Sequence, residues 1–166
     1  MQVLVRTARP SDAEAIVAIF NPIIEAGCYS AFDTPFSVAA EREFIERLPA
    51  RGLFHVAVQR PRDLVVGFQS LTPFAGYTHA FDHVAVMGTY VALDCRRQGV
   101  ARRLFQATFA AARALGYLKI FTYVRADNPG ALAAYRSQGF RVVGTAERHA
   151  RVGERYVDEV VIERML

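Results

Sequence analysis

The sequence predicts a single mixed α/β domain, and three observations lead to that prediction. The chain has 166 residues, 52% of them hydrophobic and 22% charged, which suits one core, since domains run to roughly 100–200 residues. Segments rich in β-forming residues alternate with stretches whose apolar residues recur at helical spacing. Neither a repeat of fixed period nor a low-complexity linker divides the chain. Residues 1–166 are therefore expected to form one domain.

The first half of the chain predicts two helices and three strands. Ser11 and Asp12 offer a cap before the first apolar stripe, Ser37 offers a second cap, and Pro49 stops the second helix. Period-2 alternation indicates the first strand, and a Pro-Arg-Asp turn separates the other two. In chain order the expected elements are a strand over Val3–Thr7, a helix from Ala13 that ends between Pro22 and Gly27, a helix over about Ser37–Leu48, and strands over Leu53–Val58 and Leu64–Leu71.

The second half predicts a central strand followed by two helices and three further strands. Thr72–Asp82 has the composition of a loop, and His83–Leu93 is almost uncharged, as expected of a strand buried on both faces. Gly116 closes the first helix of this half, and Pro129 occupies the first position of the second. The later elements are a helix that runs through Leu115, a strand over Leu118–Val124, a helix over Pro129–Gln138, and strands over Arg141–Thr145 and Tyr156–Arg164.

The composition excludes several classes of protein. A low charge fraction with a high apolar fraction excludes disorder. The longest stretch without acidic or basic residues, Leu64–Phe81, contains glycine, proline and polar residues, so no membrane span is expected. Charged residues interrupt the first dozen positions, so no secretory leader is expected. Cys28 and Cys95 form neither a disulfide framework nor a metal-ligand pattern, which predicts a cytoplasmic protein with reduced thiols and no metal.

The basic charge gives little evidence for a nucleic-acid partner. The formal net charge is +4, and such a balance can indicate nucleic acid, a membrane surface or anionic ligands. Four arginines cluster at one turn, and the rest are scattered without a stripe of basic and aromatic residues. We therefore expect neither a nucleic-acid nor a membrane partner. The clustered residues are Arg96, Arg97, Arg102 and Arg103.

That turn carries the pattern Arg96-x-x-Gly99-x-Ala101 between the central strand and a long helix. Glycine lets the backbone approach a ligand closely, and the free amides and dipole of a helix start favour an anion. The pattern predicts a diphosphate site. It lacks the Lys-Ser/Thr pair of the nucleotide P-loop and the Gly-x-Gly-x-x-Gly pattern. The alternative is a solvated helix start with arginines on its outer face.

A second pattern follows one strand later. Asn128 starts a helix, and Tyr135 follows seven residues on, about two helical turns, so both side chains can line one face. The alternative is that Asn128 only caps the helix and Tyr135 is a core aromatic residue.

Together the two patterns resemble the GNAT superfamily of acetyl-CoA-dependent N-acetyltransferases. The resemblance is close over Met87–Val143, where the closing Gly139-Phe140 pair also fits. The N-terminal region, with Phe20-Asn21 and Phe32–Pro35, is similar to the phosphinothricin acetyltransferase branch, which has Tyr-Asn in place of Phe20-Asn21.

The resemblance implies a central, mostly antiparallel twisted sheet that is splayed at the cofactor site and flanked by about four helices. It implies acetyl-CoA as co-substrate, without a metal or a covalent enzyme intermediate, and Cys95 is taken as structural. Tyr135 would lie by the thioester sulfur and protonate the leaving thiolate. The residues implied to bind the cofactor are Tyr90, Val91, Leu93, Arg96, Arg97, Gln98, Gly99, Val100, Ala101, Arg102, Arg103, Asn128 and Tyr135.

The acceptor side departs from the phosphinothricin branch. The position of that branch's catalytic glutamate falls on Val86, and its Tyr-Arg pair falls on Phe81 and Asp82. An acidic residue in place of arginine favours a cationic amine over a phosphinothricin-like amino acid. His83 is the candidate base that we select, with a partly buried structural histidine as the alternative. Other candidate bases are His79, Asp82 and Glu25, and the candidate substrate-binding residues are Phe32, Tyr77 and Asp82.

Three functions stay open at this point. The first is acetyl transfer to the primary amine of a small molecule, favoured because the aromatic Thr72–Asp82 loop suggests a closed pocket. The second is acetylation of a protein N-terminus or lysine, which needs an open groove. The third is a non-catalytic acetyl-CoA-binding module, which the missing glutamate motivates. The resemblance also leaves a homodimer open.

Overall fold

The computed structural model describes residues 2–166, and these residues confirm a mixed α/β fold. Short 3₁₀ turns lie at Pro10–Asp12, His79–Phe81 and Leu93–Cys95. The strands and helices are β1 (Gln2–Thr7), α1 (Ala13–Glu25), α2 (Val38–Glu46), β2 (Leu53–Arg60), β3 (Leu64–Pro73), β4 (Val84–Val91), α3 (Val100–Ala114), β5 (Lys119–Arg125), α4 (Pro129–Ser137), β6 (Arg141–Val152) and β7 (Arg155–Met165).

The strands form one sheet in the order β1-β2-β3-β4-β5-β7-β6. Every neighbouring pair is antiparallel except β4 and β5, which are parallel. Alternate residues of β2 face opposite layers: Val56 packs in the cluster that contains α1, and Ala57 packs with Val100 and Leu104 of α3. The sheet therefore lies between helices on its two faces, and its mostly antiparallel character is as expected.

The sheet opens between β4 and β5. The paired residues are Val84 with Lys119 and Ala85 with Ile120, although β4 continues to Val91 and β5 to Arg125. One side-chain bond continues the contact, from Thr122 Oγ1 to the Met87 carbonyl at 2.8 Å. Beyond it the strands diverge, which confirms the expected splay and exposes the edge of β4.

Helix α1 ends within the predicted range, between Pro22 and Gly27. It contains Pro22 and continues to Glu25. Proline removes one helical hydrogen bond, but Ile23 and Ile24 of the last turn are 1% and 4% exposed in the core. Burial of these two side chains holds the turn in place.

Strand β6 is longer than predicted. It was expected to end at Thr145 and runs to Val152. Its outer half is polar and lacks apolar alternation, so the sequence gives no strand signal there. A bulge between Ala146 and Ala150 allows pairing with β7 to continue, and the Arg148 amide donates to Asp158 Oδ1 at 2.7 Å within it.

Side chains of the N-terminal region connect β1, α1 and the chain that follows α1. Arg6 donates two hydrogen bonds to the Asp12 carboxylate, at 2.7 and 2.8 Å, which ties β1 to the start of α1. Asn21 bonds both the amide and the carbonyl of Phe36, at 2.9 and 3.0 Å, and the Phe20 ring stacks on the Phe36 ring. The contacts of Phe20 and Asn21 with Phe36 fix the chain between α1 and α2.

His55 gives the fold a predicted dependence on pH. Its Nδ1 lies 2.8 Å from Thr108 Oγ1 in a buried pair, and burial lowers the pKa of His55. Above about pH 6.5 the ring is neutral in both the folded and the unfolded chain. As the pH falls below that value, the unfolded chain binds a proton that the folded chain resists. We therefore expect the free energy of unfolding to fall by up to about 1.4 kcal/mol per pH unit below pH 6.5.

Urea denaturation at several pH values between 7.5 and 5 checks this expectation. His55→Asn keeps a polar group beside Thr108 but cannot titrate, so its pH slope is expected to be shallower than that of the wild type. Equal slopes in the two proteins would mean that His55 is not the responsible group.

Among the described residues, 2–166, no helix is long and apolar enough to cross a membrane.

Candidate functional site

A cleft of about 660 Å³ opens beside the splayed end of β4. We call it the large cleft. Its walls come from the end of β4, the turn before α3, the first turn of α3, and α4, and Tyr29 closes one side. Among its lining residues are Tyr29, Thr89, Tyr90, Val91, Cys95, Arg96, Arg97, Gly99, Val100, Ala101, Arg102, Asn128, Ala131 and Tyr135.

One end of the large cleft is built to hold an anion. Gly99 has φ +82°, and a Cβ there would meet no protein atom within 4 Å. The first bond of the helix runs from Arg103 N to the Gly99 carbonyl at 3.2 Å, so the preceding amides of the first turn have no partner within the helix. These amides and the helix dipole favour negative charge. Arginines 96, 97 and 102 add positive charge to the same end.

Arg96 crosses the large cleft. Its Nε donates to the Val91 carbonyl at 3.4 Å, and its guanidinium lies 4.0 Å from the centroid of the Tyr29 ring. Such a cation–π contact contributes about 0.5–1 kcal/mol at an exposed site. The contact connects the turn before α3 with the segment between α1 and α2.

Tyr135 lies at the inner end of the large cleft. It is 6% exposed, and its hydroxyl is 3.0 Å from Thr89 Oγ1. Gln69 Nε2 donates to the same Thr89 oxygen at 2.7 Å, so the Thr89 hydroxyl proton is available for the Tyr135 oxygen. In that arrangement the Tyr135 O–H points away from Thr89. Burial raises the pKa of Tyr135 to about 12, so the phenol keeps its proton at neutral pH.

A second space of about 360 Å³ meets the large cleft at this point. We call it the small cavity. Thr89, Tyr90, Tyr135 and Tyr29 line both spaces, so the Tyr135 hydroxyl lies at their junction. The residues that line the small cavity are Tyr29, Ser30, Ala31, Phe32, Ser70, Thr72, Val86, Met87, Gly88, Thr89, Tyr90, Thr122, Tyr123, Val124, Arg125, Ala131, Tyr135 and Glu159.

Arg125 fixes the wall between the two spaces. It is 4% exposed, and Nη1 donates to the carbonyls of Gly27 and Ser30 at 2.9 Å each. Its Nε and Nη2 donate to the two oxygens of Asp127 at 2.8 and 2.7 Å. The Arg125 guanidinium lowers the pKa of the Asp127 carboxyl. The wall segment, residues 27–30, is therefore held by an arginine that uses four of its five N–H donors.

The fold and site geometry agree with the comparisons with known proteins. The acetyltransferase (GNAT) family model matches residues 22–140. The chain belongs to the GNAT acetyltransferase family. It is an acetyltransferase, and the resemblance predicted from the sequence is confirmed.

The relatives of this acetyltransferase include proteins with different named acceptors. YwnH of Bacillus subtilis (strain 168), provisionally named a phosphinothricin acetyltransferase, is 26% identical over 152 residues, 91% of this chain and 92% of its own. A ribosomal-protein-alanine N-acetyltransferase from Brucella melitensis is 27% identical with a TM-score of 0.91, over 98% of this chain and 99% of that one. A phosphinothricin acetyltransferase (Pat) from Sinorhizobium meliloti, solved with acetyl-CoA, shares the fold with 22% identity and a TM-score of 0.91. The match covers 100% of this chain and 89% of that one.

Most of the residues predicted for the cofactor lie together in the acetyltransferase. Ten of the predicted positions line the large cleft, and Leu93, Gln98 and Arg103 do not. Asn128 caps α4, since its Oδ1 accepts from the Ala131 amide at 3.1 Å, and its Nδ2 donates to the Tyr29 carbonyl at 3.3 Å. The ten that line the cleft are Tyr90, Val91, Arg96, Arg97, Gly99, Val100, Ala101, Arg102, Asn128 and Tyr135.

The residues predicted for the acceptor and the base are spread more widely. Phe32 lines the small cavity, as does Val86. Tyr77 is 83% exposed, and Asp82 pairs with His79 at 2.9 Å on the surface; neither lines the small cavity. His83 is exposed and precedes β4, roughly 20 Å from Thr89 at the usual rise of a strand. The structure does not bring His83 to Tyr135.

Four polar residues of the site were missed by the sequence analysis. Gln69 and Thr89 are register partners on β3 and β4, and Arg125 and Glu159 are register partners on β5 and β7. One signal existed for Gln69, an amide that follows the apolar Val65–Phe68 stretch of β3. Nothing local marks the other three as site residues.

Two cysteines, Cys28 and Cys95, line the large cleft. Burial together with the neighbouring Asp94 raises the pKa of the Cys95 thiol, which disfavours the reactive thiolate. Within residues 2–166, no group of three or more His, Cys, Asp or Glu side chains could hold a metal ion.

Proposed function

We propose that this acetyltransferase transfers the acetyl group of acetyl-CoA to the primary amine of a small molecule. The observation that carries the proposal is the Tyr135 hydroxyl, which lies where the large cleft meets the small cavity. A thioester bound in the large cleft would have its acyl end beside that hydroxyl, and an amine in the small cavity would reach the acyl carbon from the other side.

The large cleft suits coenzyme A at both ends. The free amides at the start of α3 and the arginines 96, 97 and 102 would hold the pyrophosphate. The unpaired edge of β4 beyond Ala85 would pair with the amides of the pantetheine arm, as the family resemblance implies. A large apolar wall with few polar groups is typical of a cofactor site. The Sinorhizobium meliloti relative, solved with acetyl-CoA, supports the same assignment.

The chemistry needs one acid and a well-positioned amine. The nitrogen lone pair forms the C–N bond, the C–S bond breaks, and the thiolate takes the Tyr135 proton. The proton that the amine loses then restores the phenol, directly or through water. The dry surroundings that raise the pKa of Tyr135 also favour the protonated form of a thiol, so the transfer is not opposed by burial. Holding both reactants in place supplies up to about 7–11 kcal/mol.

The size of the small cavity favours a small acceptor over a protein. The wall segment 27–30 is fixed by Arg125 and Asn128, and a space of about 360 Å³ suits a molecule of several heavy atoms. An assay of thiol release with small amines and with an N-terminal alanine peptide tests this choice. Faster turnover of the peptide would favour the protein acceptor named in the Brucella melitensis relative.

Calorimetry with Gly99→Ala tests the cofactor site. Gly99 has φ +82°, where a Cβ costs about 1–2 kcal/mol of fold stability, and the added methyl group would occupy the open space in which the phosphates would approach the backbone. We expect the wild type to bind acetyl-CoA and the variant to bind it at least about 10-fold more weakly, a loss of about 1.4 kcal/mol, because the methyl group blocks that approach.

Gly116→Ala is the matched control. Gly116 has φ +83° at the other end of α3, and its Cβ would also meet nothing within 4 Å. This variant carries the same backbone strain and is expected to keep its acetyl-CoA affinity. No heat of binding with wild-type protein would contradict the proposed function, and equal affinities of the two variants would contradict the phosphate assignment.

A further inference from the structure

We propose that Glu159 binds a cationic group of the acceptor, so that the acceptor is a small amine with a second positive charge. A diamine is the simplest member of this class. The inference rests on the proposed function, because it names the acceptor class of the same small cavity.

Glu159 is a carboxylate that lines the small cavity. It lies on β7 as the register partner of Arg125 on β5, and its side chain is 13% exposed. The other polar groups of that lining, besides Arg125, are hydroxyl groups of serine, threonine and tyrosine. A nearly buried carboxylate is costly unless a cation or several donors compensate it.

Arg125 forms no hydrogen-bonded ion pair with this carboxylate, although the two residues are register partners. Its guanidinium is committed to both oxygens of Asp127 and to the carbonyls of Gly27 and Ser30. Arg125 therefore acts on Glu159 only through its charge at a distance. Because four of its five N–H donors are used, Arg125 is also poorly placed to bind an acceptor carboxylate.

The cationic partner that the structure gives Glu159 is weak. His149 Nε2 lies 4.0 Å from Glu159 Oε2, which is beyond hydrogen-bond distance. The His149 ring is stacked with the Tyr123 ring, with centroids 6.0 Å apart, and its side chain is half exposed. Among residues 2–166, no arginine or lysine nitrogen lies within 4.0 Å of Glu159. Within this part of the chain Glu159 therefore shares the charge of Arg125 with Asp127 and has no hydrogen-bonded cation of its own.

The position of Glu159 indicates which part of the acceptor it would contact. Thr89, beside Tyr135, lies on β4, and Glu159 lies on β7; each of these strands is one neighbour away from β5. Because β4 and β5 diverge before Thr89, the backbones of Thr89 and Glu159 are separated by more than the roughly 10 Å of two regular strand spacings. This span suits a charged group several bonds from the reacting nitrogen, which itself must be neutral when it attacks. An amine with a carboxylate at that distance would meet repulsion instead.

Binding of three matched ligands to the full chain saturated with coenzyme A tests the inference without turnover. The ligands are 1,4-diaminobutane, butylamine and 4-aminobutanoate, and calorimetry measures their dissociation constants. For the wild type we expect the order diamine, then monoamine, then amino acid. Glu159→Gln is expected to weaken the diamine by about 10- to 100-fold, the usual effect of one charge-assisted contact, and not to weaken 4-aminobutanoate, because its carboxylate then no longer meets a like charge.

Glu154→Gln is the matched control, because it removes the same charge from the exposed turn between β6 and β7. It is expected to leave all three affinities unchanged. Unchanged diamine affinity in Glu159→Gln would overturn the inference. If that variant does not fold, the wild-type order decides alone, and tighter binding of 4-aminobutanoate than of the diamine would overturn it.

The outcomes separate this inference from the proposed function. Diamine binding that depends on Glu159, without thiol release from acetyl-CoA, would support the charge recognition and reject catalysis. Thiol release with butylamine or 4-aminobutanoate in preference to the diamine would support catalysis and reject the role of Glu159.

Discussion

Replacement of Tyr135 by phenylalanine is expected to lower kcat for acetyl transfer by about 10²–10⁴-fold, with acetyl-CoA affinity nearly unchanged. The substitution removes only the hydroxyl that lies 3.0 Å from Thr89 Oγ1. The ring would still pack against Phe105 and Phe140, whose centroids lie 5.1 and 5.0 Å away. The leaving thiolate would then lack its acid, while the binding surfaces stay intact.

Steady-state thiol release measures kcat, and calorimetry measures the affinity for acetyl-CoA. Tyr156→Phe is the control, because it removes a hydroxyl from a ring that is 53% exposed on β7. A Tyr135→Phe variant with wild-type kcat would mean that another group or water protonates the sulfur. Loss of acetyl-CoA binding in that variant would mean that Tyr135 acts in the packing of the cleft.

Replacement of Arg125 by alanine is expected to lower the free energy of unfolding by about 1–3 kcal/mol, the usual cost of leaving a buried hydrogen-bonding group without its partner. The change leaves the Gly27 and Ser30 carbonyls and the Asp127 carboxylate without their donors. Since the wall segment 27–30 carries Tyr29, which lines both spaces, KM for acetyl-CoA is also expected to rise.

Urea denaturation and initial-rate kinetics test this prediction. Arg125→Lys keeps the charge but loses the planar guanidinium that bonds Asp127 and the two carbonyls. We therefore expect a smaller decrease in the free energy of unfolding than for Arg125→Ala. Arg155→Ala removes an exposed arginine at the start of β7 and is expected to change stability by less than about 0.5 kcal/mol. A loss below about 1 kcal/mol in Arg125→Ala would show that water replaces the arginine at this wall.

The cofactor half of the site was predictable because its signals are local. Gly99 provides the positive φ that the turn needs, the adjacent residues form the free start of α3, and Asn128 caps α4 two turns before Tyr135. Each of these features depends on neighbours within about two helical turns along the chain. The residues therefore lie together once the two strand–helix units form.

The acceptor half was less predictable because it is assembled from distant segments. His83 was predicted as the base because it lies near the start of the central strand. Thr89, which contacts Tyr135, lies six residues further along that strand, so its length separates His83 from Tyr135. The Thr72–Asp82 loop was expected to close the pocket, whereas Thr72 is its one residue that lines the small cavity, and the segment Tyr29–Phe32 forms a wall instead. The longer β6 likewise depends on its pairing with β7 through a bulge.

The sequence by itself determined the fold class, because hydrophobic periodicity, caps and turns act over a few residues. It also indicated the family, through the resemblance of its motifs, and the glycine turn at the start of α3 where we propose that a diphosphate binds. Only the tertiary structure decided what faces the acceptor. Gln69 reaches Thr89 across β3 and β4, and Glu159 lies next to Arg125 across β5 and β7, through pairings between strands separated in sequence. Which side chains share a cavity depends on strand order, register and the splay of the sheet, and no short stretch of sequence encodes these.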